Sequence, residues 1–119
     1  MGTAFFNLIA YYPFAKSDIL TNTASHPVAS DGRIEGAPWV SGRWPGKHAL
    51  LFDRATDFVE LDVPGEYDAL TFSAWIKLDG LGTYLNSIFN SNGLDPGDIH
   101  WDIASDGKMM LIRRLPQPA

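Results

Sequence analysis

Two apolar runs joined by a Pro-Gly step, within residues 49–79 (ALLFDRATDFVELDVPGEYDALTFSAWIKLD), restrict the possible folds of this chain more than any other feature. In Phe58–Val63, Val59, Leu61 and Val63 alternate with Glu60 and Asp62. In Leu70–Leu78, every even position (Leu70, Phe72, Ala74, Ile76, Leu78) is apolar. Successive side chains of a strand point to opposite faces, so a period of two rich in β-branched and aromatic residues predicts two half-buried strands. Pro64-Gly65 supplies the turn between them. The same parity recurs further on: Ile99, Trp101 and Ile103 share one face, leaving Asp98, His100 and Asp102 as a solvated outer row.

The rest of the chain follows this style. The 11 glycines and 8 prolines are spread out and punctuate short runs, the pattern of a sandwich or barrel. Strands are expected at Leu8–Phe14, Ile34–Val40, His48–Phe52, Phe58–Val63, Leu70–Leu78, Ser87–Asn90, Ile99–Ala104 and Met109–Arg113, with no sustained helical period. The polar stretch Ser17–Gly32 reads as a long loop, and the tail Pro116–Ala119 cannot continue a central strand because its prolines donate no ladder hydrogen bond. The expected fold class is all-β: two antiparallel sheets with their inner rows buried against each other. One domain over residues 1–115 accounts for a chain of 119 residues.

Composition excludes several functions. Net charge is −5 and the basic residues are scattered, so the chain lacks the electrostatic footprint of a nucleic-acid binder. No apolar run approaches the length of a membrane span, so insertion by this chain is not expected. The apolar stretch Ala4–Phe14 has no basic residues ahead of it and is interrupted by Asn7 and Pro13, and it reads as a strand rather than a signal peptide. With no cysteine, disulfides, zinc thiolate sites and cysteine nucleophiles are excluded.

The order A-L-x-F-D (Ala49–Asp53), D-x-V-x-L (Asp57–Leu61), L-T-F-S-A-W-I-K (Leu70–Lys77) resembles the laminin-G-like, concanavalin-A-like jelly-roll module. Tyr11-Tyr12-Pro13-Phe14 is similar to the first strand of such modules, Gly36–Val40 with Gly42-Arg43 to the second, and Ser91-Asn92-Gly93 with Gly97–Trp101 to a later hairpin. The resemblance is greatest to a subgroup in large bacterial multidomain proteins, some carrying a sigma-factor-regulator domain. It implies a jelly-roll β-sandwich, an extracytoplasmic setting, and binding of a carbohydrate or protein ligand, with calcium as a possible cofactor. It covers roughly the first two-thirds of such a module, which would leave strand edges open to self-association. The chain departs from the pattern at Arg54, where family members usually carry glycine. If that position needs positive φ, arginine there costs roughly 1–2 kcal/mol of strain.

Three constellations could carry chemistry. Asp98-x-His100-x-Asp102 resembles the alternating acidic residues of jelly-roll glycosidases, and an enzyme using Asp98 and Asp102 is one alternative to a binding module, a purely structural or self-associating module being the other. Such an enzyme needs its carboxyl groups about 5–9.5 Å apart, whereas positions i and i+4 of a strand are about 13 Å apart. Asn92, Asp95 and Asp98, in a glycine-bent loop, offer hard oxygen ligands suited to calcium, as do Asp53 and Asp57 near a second turn. The same residue types also simply make turns. Among the aromatics, Trp39 and Trp44 flank an expected loop and are the candidates for stacking on a ligand, beside His100 and Asp102. Trp75 and Trp101 sit within strand patterns and are expected to pack.

Overall fold

The computed structural model describes residues 8–81, 85–91 and 95–113, and within them the chain is all-β. No helix is long and apolar enough to cross a membrane among these residues. The strands are β1 (Ile19–Leu20), β2 (Gly32–Glu35), β3 (Trp39–Ser41), β4 (His48–Leu50), β5 (Phe58–Glu60), β6 (Leu85–Asn90), β7 (Ile99–Ala104) and β8 (Met109–Arg113). They form three small antiparallel sheets, ordered β1-β2-β5, β3-β4 and β6-β7-β8. The chain divides into two compact units after Leu70.

In the first unit Leu20, Ala37 and Leu50 are buried, with Tyr12, Phe14, Ile34, Trp39 and Val59 packed around them. So small a core leaves the fold dependent on polar clamps. The expected first strand, Leu8–Phe14, forms no ladder. Pro13 has no N–H to give, and Phe14 adopts a left-handed backbone with φ 60° that ends any extended run. Its backbone is held instead by the 22–29 loop, where Thr23 N–H donates to Tyr11 O and the N–H groups of Val28 and Ala29 both donate to Ile9 O. Asn22 sits at the centre of this junction. Its Oδ1 accepts from the backbone N–H of Tyr11 (3.0 Å) and Ala24 (3.1 Å), and its Nδ2 donates to the carbonyls of Ile9 (3.2 Å) and Ala29 (2.9 Å). The polar stretch read as all loop also contributes β1, which pairs with β2 through Ile19↔Arg33 and Leu20↔Gly32.

The expected strand Ile34–Val40 is two strands in two sheets. Gly36 takes φ 78° and Pro38 follows, so the ladder to β5 stops at Glu35 and a new one to β4 starts at Trp39. β4 and β5 end earlier than the alternation suggests, at Leu50 and Glu60.

The second unit is a meander in which β7 pairs with both neighbours. Trp101 lies opposite Phe89 and Leu111, and Asp102 opposite Ser87 and Met110. β7 and β8 have the bounds read from the sequence, and β6 is longer than expected, with a bulge between Ser87 and Phe89. The largest correction concerns Leu70–Leu78, which forms no strand. Leu70, Ile76 and Leu78, expected on the inner row, are exposed, and Trp75, expected to pack, is 74% exposed. Alternation creates an apolar row, but only a paired neighbour can make that row part of a sheet. Phe72 does find aromatic company, with ring centroids 4.7 Å from Phe89 and 6.1 Å from Trp101.

Candidate functional site

The β3–β4 hairpin carries both candidate tryptophans. Its strands pair through Trp39↔Leu50, Val40↔Ala49 and Ser41↔His48. The connection is closed twice: Gly42 N–H donates to Lys47 O (2.7 Å) and Lys47 N–H donates to Trp44 O (3.0 Å). Pro45 and Gly46 are the central residues of this Trp44–Lys47 turn, and Gly46 has φ 78°. Proline followed by a left-handed glycine is the type II arrangement. Trp44 therefore projects from a stiff tip. It remains 54% exposed, and the Arg43 guanidinium lies 4.7 Å from its ring centroid. Such a pair offers an amphipathic plate with a fixed positive charge beside it.

Trp39 is differently placed. It is half-buried against the core, edge-on to Phe14 (6.4 Å) and to His48 (6.4 Å), and its Nε1–H donates to Ser17 O at 2.8 Å. Its polar handle and much of its ring serve packing. Arg43 escaped the sequence reading, although the order R-W-P-G, an arginine beside an aromatic just ahead of a Pro-Gly turn, was the available signal.

The structure gathers a polar group on one face of the β6-β7-β8 sheet, where His100 lies opposite Asn90 and Asp102 opposite Ser87. Asn90 Nδ2 donates to Ser87 Oγ at 2.5 Å, and Asn90 Oδ1 accepts from Trp101 N–H at 3.2 Å. The sequence marks Ser87–Asn90 as a strand but not its grouping with His100 and Asp102, because the bulge after Ser87 decides which neighbours share this face. Asp102 corrects the expectation of a solvated outer row, since it is only 2% exposed and its Oδ1 is buried with no hydrogen-bond partner among the described residues. Asp102 and Ile103 are buried side by side because β7 is the central strand. Asp98 closes the turn before β7, its Oδ2 accepting from Asp95 N–H (2.8 Å) while Asp98 N–H donates to Asp95 O (3.0 Å). One carboxylate closing a turn and the other withdrawn from solvent lend no support to a two-carboxylate hydrolase.

Of the calcium candidates Asn92, Asp95 and Asp98, Asn92 lies outside the described residues and Asp98 is engaged as above. No group of three or more His, Cys, Asp or Glu is gathered to hold a metal among the described residues. The Asp53–Asp57 turn provides its own cation. Asp57 Oδ2 accepts from the N–H of Asp53 and of Arg54, each at 3.2 Å, and the Arg54 Nε lies 3.3 Å from Asp57 Oδ1 and 4.0 Å from Asp53 Oδ1. Arg54 Nη2 also donates to Gly36 O at 3.2 Å, tying this turn to the corner between β2 and β3. Arg54 does not have positive φ, so the strain expected from an arginine at this point is absent. The Asp57 side chain is inaccessible to solvent. Burial pushes its carboxyl up, but the contacts from Asp53 and the charge and N–H of Arg54 outweigh burial and hold it below the usual carboxylate range.

No family model, curated protein or solved structure matches this chain.

Proposed function

We infer that this chain is a non-catalytic recognition module that holds a glycan at the tip of the β3–β4 hairpin. The observation that carries this reading is Trp44: an exposed indole on a type II turn, with Arg43 beside its ring. A flat ring held in place loses little entropy on stacking against the apolar face of a sugar, and the guanidinium supplies hydrogen bonds to ring hydroxyls or a carboxylate. In the finer architecture we favour, the small antiparallel sheets are parts of a jelly-roll sandwich of the laminin-G or concanavalin-A-like kind. That assignment is supported by the motif order and by the all-β, turn-punctuated topology.

The test is a glycan array followed by calorimetry on the best hits. Trp44→Ala should weaken binding by about 30-fold, the effect of losing roughly 2 kcal/mol at an aromatic hot spot. Trp39→Phe, which keeps a ring in the core, should bind as the unaltered chain does. Full glycan affinity in Trp44→Ala would discard the hairpin tip as the site. Binding of a protein with no glycan hit would move the reading to a protein ligand.

A further inference from the structure

The second unit holds an apolar sheet edge and an exposed apolar segment whose patterns fit each other. Among the described residues β8 has one ladder neighbour, β7, and its four consecutive apolar residues Met109, Met110, Leu111 and Ile112 are all exposed, Leu111 to 67%. Edge strands are ordinarily protected by charge or proline within the strand. β8 carries its charges at the ends, Lys108 before and Arg113 closing it. Trp75–Leu78 meanwhile is an exposed strand-patterned segment that forms no strand, followed by Asp79.

We propose that β8 of one copy receives Trp75–Leu78 of a second copy as an antiparallel fourth strand, making the chain self-associate. Charge selects the register. Two β8 strands paired about their own centre, Leu111, would set Met109 opposite Arg113, an apolar position against a charged one. Setting Lys108 opposite Asp79 instead pairs opposite charges, and the remaining positions then follow. Met109 meets Leu78, Met110 meets Lys77, Leu111 meets Ile76, and Ile112 meets Trp75. Met109 and Leu111 stand on the face that carries Trp101 and Ile103, so Ile76 and Leu78 extend that apolar row into a fourth strand.

The chain's own segment is out of register for this pairing. Phe72 lies over Phe89 and Trp101, at the level of Leu111, whereas the register places residue 72 four positions beyond Leu111, about 13 Å along the strand. A second copy has no such restraint on where its Trp75–Leu78 lands.

The chain has no cysteine, which makes cross-linking clean. Ile76→Cys and Leu111→Cys chains, prepared separately and mixed under mild oxidation, should give a covalent heterodimer in clear excess over either homodimer. By sedimentation, the unaltered chain should show a mass that rises with concentration. Leu111→Lys, at a position already exposed and so harmless to the fold, should remain monomeric with an unchanged circular-dichroism spectrum. Lys108→Glu should also dissociate the dimer, and Lys108→Glu with Asp79→Lys should restore it. A unaltered chain that stays monomeric at every concentration overturns the proposal, as does a dimer indifferent to Leu111→Lys. A doubly substituted Ile76→Cys, Leu111→Cys chain that closes on itself as a covalent monomer would overturn it in favour of the chain's own segment as the occupant.

Discussion

Asn22→Ala should be among the most damaging single substitutions in the first unit, although nothing in the sequence marks this residue. The side chain makes four hydrogen bonds, accepting from Tyr11 and Ala24 and donating to Ile9 and Ala29. Each intramolecular hydrogen bond contributes about 1 kcal/mol net. The Ile9 carbonyl keeps the N–H groups of Val28 and Ala29 and loses little. The other three groups lose the partner that anchors them, so the expected loss is about 3 kcal/mol. Against a typical total of about 5–15 kcal/mol, that is a large fraction. The backbone N–H of Asn22, donated to Asp31 Oδ1 at 2.8 Å, survives the change and should keep the local chain path. Urea unfolding gives the measurement, with a lower midpoint and an unchanged slope. Asn22→Asp sharpens it: both acceptor bonds survive, but carboxylate oxygens now face the Ile9 and Ala29 carbonyls. That variant should be as unstable as alanine at neutral pH and partly recover in acid, where protonation returns one donor. A loss under about 1 kcal/mol in Asn22→Ala would refute the view that this side chain substitutes for a missing strand ladder.

Asp57→Asn should flatten the acid limb of the stability profile. A carboxyl held below its unfolded value, about 3.9 for aspartate, stabilises the fold above that value and loses the contribution as pH falls through the folded pKa. Melts between pH 2 and 6 check this, and an acid limb identical in the two proteins would contradict it. Gly36→Ala and Gly46→Ala separate backbone strain from crowding, since both glycines have φ 78°. A Cβ at Gly46 meets nothing within 4 Å, so alanine there should cost about 1–2 kcal/mol. At Gly36 it would run into the Asp57 carboxylate and displace the Arg54 clamp, adding about 1–3 kcal/mol by chemical denaturation. Equal losses would mean that the clamp gives way without cost. Calcium should leave the melting midpoint where chelator leaves it, because Arg54 already pairs with both carboxylates of the Asp53–Asp57 turn and Asp98 is engaged by Asp95. A ligand of the native state at a hundred times its dissociation constant would instead add about 2.7 kcal/mol.

The strands that could be read from the sequence are those whose alternation coincides with local pairing. β7 and β8 are joined by a tight turn at Ser105–Lys108, where Gly107 N–H donates to Ala104 O, so pattern and partner lie close together in the chain. Leu70–Leu78 has the more regular alternation, yet its pattern says only that one face is apolar and nothing about which strand lies alongside. Leu8–Phe14 failed for the opposite reason, since Asn22, 11 residues from Tyr11 along the chain, is not visible to local propensity there, yet it satisfies backbone that a ladder would otherwise pair. At the candidate site, the expected loop at Ser41-Gly42-Arg43 made the flanking Trp44 legible as an aromatic available for stacking. The burial of Asp102 was not, because alternation alone cannot distinguish a central strand from an edge, and only the pairing of β7 on both sides removes that carboxylate from water.

The two units solve one problem differently. A short chain with few buried apolar residues must still satisfy its backbone wherever strands are lacking. In the first unit side chains do this: Asn22 holds the 8–14 segment, Ser30 and Asp62 bond reciprocally through N–H to carbonyl and N–H to hydroxyl, and Arg54 joins the Asp57 turn to Gly36. Each clamp is specific to its own chain and leaves nothing for a partner to complete. The first unit's edge strands β1, β3, β4 and β5 are only two or three residues long, whereas the second unit keeps the five-residue edge β8 and an apolar strand-patterned segment exposed within the same chain. Clamped irregular backbone resists association, whereas an open ladder with apolar faces invites it. Association should therefore be confined to residues 71–113, and substitutions at Asn22 or Asp57 should change the melting midpoint without changing the dimer's dissociation constant. A clamp variant that altered self-association while still folded would show that the two properties are not separable in this molecule.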